Sequence, residues 1–106
     1  MIHLNINKGN PKGWFCGPWN SALDICVGYA NEGINEKHFH AKMNEIYLIA
    51  KGNSVAVVND EKVKLAAGDI LVVEPKEVHF FISSSRDYMH FVVHSPFVKD
   101  DKYLVE

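Results

Sequence analysis

Apolar residues along this chain gather in short runs, and no long stretch repeats them with the period of a helix. β-branched and aromatic residues dominate those runs, and turn-forming residues separate them. The clearest predicted strands are residues 45–50 (EIYLIA), 54–59 (SVAVVN), 70–74 (ILVVE), 78–83 (VHFFIS) and 89–94 (MHFVVH). Residues 23–29 and 38–40 are further candidates. Turns are expected at Lys51-Gly52-Asn53, at residues 59–62 (NDEK) and at Ala67-Gly68-Asp69. Pro75 ends the strand before it, because proline cannot donate to a ladder. The tail KDDKYLVE is charged and then apolar, and reads as a frayed end or a strand docking on a partner. Short antiparallel strands of this number must hide their apolar faces on one another. The expected fold class is therefore all-β, as a closed barrel or a two-sheet jelly roll.

Composition narrows the setting. At 106 residues, 47% hydrophobic and 23% charged, the chain is expected to be a single domain, 1–106, with its own core. A net charge of −2 provides no basic field for nucleic acid. No apolar stretch approaches the roughly 20 residues of a membrane span. Cys16 and Cys26 are too few for a disulfide scaffold and are expected to be free thiols. With no secretion signal visible, a cytoplasmic protein is expected.

Within this frame the stretch HFHAKMNE (38–45) stands out. On a strand, residues two apart share a face, so His38 and His40 project together while Phe39 faces the other way. Residues 41–44 read as a turn that returns the chain, which places Glu45 close to the pair. His79 lies on a later strand, just past Pro75. An isolated H-x-H arises by chance on polar strand faces and is weak evidence. Its conjunction with Glu45 and His79 carries the metal reading. Imidazoles with one carboxylate suit a divalent transition metal such as Mn, Fe, Zn, Ni or Cu, and suit Ca or Mg less well.

These residues resemble the cupin superfamily. Its first motif runs from a glycine through H-x-H to a glutamate and a second glycine, matched here by Gly33, His38, His40, Glu45 and Gly52. The opening gap is one residue shorter than the usual form. In the second motif Gly68 and His79 keep the usual separation, Pro75 lies one place late, and Ser83 stands where asparagine is usual. The resemblance implies a jelly-roll barrel with its core over about residues 22–94. It implies His38, His40, Glu45 and His79 as metal ligands, and a homodimer with the N-terminal segment contributing.

Other residues are candidates for the cavity of such a barrel. Tyr47 shares the face of Glu45 and either acts on substrate or is a core tyrosine. His90 and His94 share a face on their strand. His90 is read as a base or substrate contact, and His94 as a rim or surface residue. Tyr47 and His90 are thus the candidate catalytic residues. Phe81 shares a face with His79 and would supply an apolar wall. In GWFCGPWN (13–20), Trp14, Phe15 and Trp19 form a lid or an interface, with the interface reading ahead. Lys42 and Lys76 are the expected cationic anchors, and Arg86 is expected at an exposed loop tip.

Three functions remain open at this point. One is a metal-dependent enzyme on a small oxygenated molecule (a sugar, hydroxy acid or diketone), acting as an isomerase, lyase or dioxygenase. Another is a non-catalytic module that binds or senses a small ligand through its metal. The last is a structural or storage barrel.

Overall fold

A computed structural model of the chain describes residues 1–6 and 9–106. Among the described residues there are ten strands and no helix. They are β1 (Lys12–Cys16), β2 (Cys26–Ala30), β3 (His38–Phe39), β4 (Asn44–Lys51) and β5 (Asn53–Val58), then β6 (Glu61–Ala66), β7 (Ile70–Val73), β8 (His79–Ser84), β9 (Met89–Ser95) and β10 (Tyr103–Leu104). Two five-stranded antiparallel sheets result, in the orders β1-β2-β9-β4-β7 and β10-β3-β8-β5-β6. The fold is all-β, as expected.

Alternation decides which side chains enter the space between the sheets. On β4, Glu45, Tyr47 and Ile49 are buried; on β9, His90, Val92 and His94 are buried. The two strands pair with Glu45 opposite His94, Tyr47 opposite Val92 and Ile49 opposite His90. Ile49, Ala56, Leu65, Val73 and Val92 make the apolar core together with the rings of Tyr47, Phe81 and Tyr88. Each of the Ile, Leu and Val side chains contributes about 1.5–3 kcal/mol by leaving water.

Two strands depart from expectation, at the β5–β6 hairpin and at the tail. The hairpin between β5 and β6 turns on Asn59 and Asp60 alone, both left-handed with φ of 47° and 68°. Asn and Asp tolerate that conformation, so a tight two-residue turn replaces the four-residue one expected. Glu61 and Lys62 are thereby freed to open β6. Lys12–Cys16 forms β1, which pairs with β2. The tail pairs within the chain: Tyr103 and Leu104 lie beside Phe39 and His38. Phe39, pointing away from the histidine face, stacks on Tyr103 at 5.2 Å and holds the tail in place.

Candidate metal centre and its cavity

The two sheets each send groups to one point. His38 (β3) sits opposite His79 (β8) in one sheet, and His40 follows just past β3. Glu45 comes from β4 in the other sheet. All four are buried, and their ligand atoms lie within 4.8 Å of one another. Around one ion with bonds of about 2.1 Å, neighbouring ligand atoms sit about 3 Å apart and opposite ones about 4.2 Å. The cluster, spanning up to 4.8 Å, is slightly wider than this.

The protonation pattern is more telling than the size. Each imidazole donates its Nδ1–H to a backbone carbonyl: His38 to Glu36 at 2.6 Å, His40 to Asp101 at 2.6 Å, and His79 to Glu77 at 3.0 Å. A carbonyl can only accept, so these contacts assign the tautomers. The Nε2 atoms turn towards Glu45 Oε1, at 3.9, 3.3 and 2.7 Å respectively; in the neutral rings they carry lone pairs, and the His79 contact is a hydrogen bond when its Nε2 is protonated. Three lone pairs and a carboxylate facing one point repel unless a cation or extra protons sit among them. His38 resists a proton, since burial pushes it down to about 4. Burial also opposes charge on His40, but Glu45 and Asp101 outweigh it and raise its pKa. His40 Nε2 is nonetheless buried without a hydrogen-bond partner. Burial works against charge on Glu45 too, yet its contacts with His40, His79 and His94 hold the carboxyl well below its ordinary range. The donor set therefore fits a divalent transition metal, and the cluster can hold one.

Two residues outside the expected set complete this arrangement. His94, expected at the rim, is buried, and its Nε2 donates to Glu45 Oε2 at 2.5 Å. That contact occupies the second carboxylate oxygen and leaves Oε1 facing the three imidazoles. Parity on β9 had already placed His94 with His90; only its pairing opposite Glu45 turns it into the site. Asp101 was not anticipated at all. Its carboxylate accepts the backbone N–H groups of Ala41, Lys42 and Met43, each at 2.9 Å, while its carbonyl anchors His40. Burial opposes the charge on Asp101, but those donors hold it below its usual value. No local pattern announces a residue that caps a turn so far away in sequence.

A cavity of ≈ 470 Å³ opens onto the cluster, lined by His38, His40, Glu45, Tyr47, His90 and His94 at its polar end. Tyr29, Ala30, Ile34 and Val92 supply apolar wall, and Lys12, Gly13, Trp14 and Lys102 complete the lining. A larger cleft of ≈ 580 Å³ between residues 30–35 and 81–86 holds no histidine, so the chemistry belongs to the smaller one. Tyr47 points inward as its parity predicts, but its hydroxyl is committed to Glu45 Oε1 at 2.7 Å. Burial, and then the charge on Glu45, raise its pKa well above the ordinary value, so it stays protonated. His90 lines the wall, and burial pushes it down to about 4. Phe81 packs against Tyr47 at 5.2 Å as part of the core, behind the cavity wall rather than on it.

The three aromatics of residues 13–20 go to different places. Trp14 crosses Gly28 to meet His94 at 4.8 Å, half exposed at the mouth. Phe15 packs on Tyr29 and Phe91, and Trp19 on Phe97. Lys42 and Lys76 are exposed and do not line the cavity. The reason for Lys42 is that Asp101 fixes its turn from below; for Lys76, a left-handed φ of 73° carries it outward. Arg86 is exposed, as expected.

The cupin domain family matches residues 27–95, well over half of the chain. The protein belongs to the cupins. No curated protein matches this cupin significantly. Among solved structures it is similar to Pac13, a nucleoside dehydratase from Streptomyces seen with uridine. The TM-score is 0.73 at 20% identity, over 90% of this chain and 77% of that one. It is also similar to KdgF from a Halomonas species (TM-score 0.67, 16% identity, 89% of this chain and 87% of that one). The DMSP lyase DddQ from Ruegeria pomeroyi DSS-3 is a third (TM-score 0.66, 19% identity, 79% and 44%). At these identities the likeness establishes the fold.

Proposed function

We propose that this cupin is a metal-dependent enzyme acting on a small oxygenated organic molecule, with His38, His40, Glu45 and His79 as the metal ligands. One observation carries the reading: three imidazoles anchored through Nδ1 turn their Nε2 atoms onto one carboxylate at the end of an open cavity. A divalent metal held there supplies Lewis acidity to a substrate oxygen. The chain's own residues do the rest. His94 and Tyr47 hold the two oxygens of Glu45 in place. Tyr47, protonated and buried, spends its O–H as a hydrogen-bond donor to Glu45 and is not a base. His90 is neutral at pH 7 and presents a ring to the cavity wall. Trp14, Tyr29 and Val92 exclude water from the apolar side.

Two of the structural neighbours are named as a dehydratase and a lyase, and both reactions are eliminations. That supports a lyase or isomerase over a dioxygenase for this chain. The side chains that Ile70 and Val72 expose on the edge strand β7 support a homodimer. Cys16 and Cys26 are free, and a reducing cytoplasm suits them.

The test is turnover. Protein reconstituted in turn with Mn, Fe(II), Zn and Ni is offered hydroxy acids, sugars and nucleosides, with diketones and thiols under an oxygen electrode. Metal-dependent loss of water or isomerisation, abolished in a folded His79→Ala variant, is expected. Tight ligand binding without turnover would instead make the protein a binding or sensing module.

A further inference from the structure

Tyr88 and His90 form a buried pair that the metal centre does not use. Tyr88 is 1% exposed and its hydroxyl lies 2.6 Å from His90 Nδ1. His90 is 3% exposed, yet it lines the cavity, packed edge-on to the Tyr47 ring at 4.9 Å. One proton lies between Tyr88 and His90, and its position decides what the cavity meets.

Hydrogen-bond accounting settles the direction. If His90 carried its proton on Nδ1, it would donate to the phenol, and the phenol's own proton would need another acceptor. Among the described residues His90 Nδ1 is the partner the Tyr88 hydroxyl has. Ser54 Oγ, the other buried hydroxyl nearby, makes no well-formed hydrogen bond, and its lowering pull on Tyr88 is that of a donor to the phenol oxygen, not of an acceptor for the phenol proton. A buried O–H without an acceptor costs about 1–3 kcal/mol. The reverse arrangement has no such cost. Burial raises Tyr88 above its ordinary value against the pull of Ser54, so it keeps a proton to give. The phenol donates to Nδ1, and the neutral imidazole carries its hydrogen on Nε2, where no protein group among the described residues accepts it.

We propose that Tyr88 is a positioning residue that locks His90 in its Nε2–H tautomer, so that the cavity wall beside the metal centre presents a neutral N–H donor to a substrate oxygen. His90 is then a hydrogen-bond donor to a carbonyl, carboxylate or hydroxyl oxygen, and not a base in the resting protein. The substrate this selects is one with two separated oxygens, one within reach of the metal centre and one on the wall. The use made of the donor rests on the enzyme reading above, but the tautomer does not.

Nitrogen-15 NMR of histidine-labelled protein, recorded metal-free and zinc-loaded at neutral pH, tests it. For His90 the expected spectrum shows a protonated Nε2, exchanging with water, and an unprotonated Nδ1 far downfield of it. Tyr88→Phe keeps the ring and removes the donor, and is expected to move His90 towards a mixture of tautomers. A proton on Nδ1 in the unaltered protein overturns the proposal, as does an Nε2–H shielded from water. An unchanged tautomer in Tyr88→Phe overturns the role of Tyr88. Should that variant not fold, the spectrum of the unaltered protein decides alone. Loss of metal binding would sink the enzyme reading and leave the metal-free spectrum to stand by itself.

Discussion

Asp101 ties the turn before Glu45 to the ring of His40, so one side chain serves both shape and site. Three backbone donors lose their partner if it is replaced. Asp101→Ala is expected to cost about 2–4 kcal/mol, because hydrogen bonds to a charged acceptor are strong and buried donors left bare are costly. Urea unfolding measures this, and a change under about 0.5 kcal/mol would show that the turn holds without it. Metal affinity should fall on the order of 10–100-fold in the same variant, as when ligand-orienting contacts are lost. His90 supplies a second prediction at this scale. Burial holds it at about 4, whereas in the unfolded chain it titrates near 6.5. Between those values the unfolded state binds a proton that the native state refuses. Its contribution is therefore complete above about pH 6.5 and is lost as pH falls towards 4. His90→Gln in metal-free protein should flatten the stability profile there by about 1.4 kcal/mol per pH unit.

At the scale of elements, the strand pairings explain what could be read in advance. H-x-H with Glu45 was legible because parity on a strand is local, and parity also placed Tyr47 and His90. His94 was misjudged because its direction becomes informative only when β9 lies beside β4, 49 residues away along the chain. β6 was hidden by a turn that needs two residues where four turn-formers stand. Asp101 was illegible for a harder reason: its partners lie 58 to 61 residues earlier. β1 owes its seat to Gly28 on β2. A Cβ there would meet Gly13 O at 2.7 Å and the Trp14 ring at 2.7 Å. The first contact is backbone, so a rotamer change cannot relieve it. Gly28→Ala is expected to destabilise by about 1–3 kcal/mol and to shift Trp14 fluorescence. An unaltered spectrum with unaltered stability would mean that β1 is held by other contacts.

Over the whole molecule, charge is distributed unevenly in a useful way. The net charge is −2, yet the cavity is lined by Lys12 and Lys102, and among the described residues Glu45 is the only acid on its wall. Lys102 pairs with the exposed Glu36 at 2.7 Å, a contact that water screens. The mouth therefore favours anions, while the outside of the protein repels them weakly. Zinc-loaded protein should bind malonate more tightly than the neutral diol of the same length. The preference should shrink with salt and drop about 3–10-fold in the double variant Lys12→Met, Lys102→Met. Equal binding of acid and diol at low salt would remove any role for the lysines in choosing the ligand.

Metal content measures the central claim most directly. Protein purified without added metal, then equilibrated with Mn, Fe(II), Ni or Zn and desalted, is assayed for bound metal by elemental analysis beside His40→Ala. The geometry predicts one equivalent of a transition metal in the unaltered protein and little in a folded variant. Unaltered protein that retains no metal from any of the four, or a variant that retains a full equivalent, would contradict it.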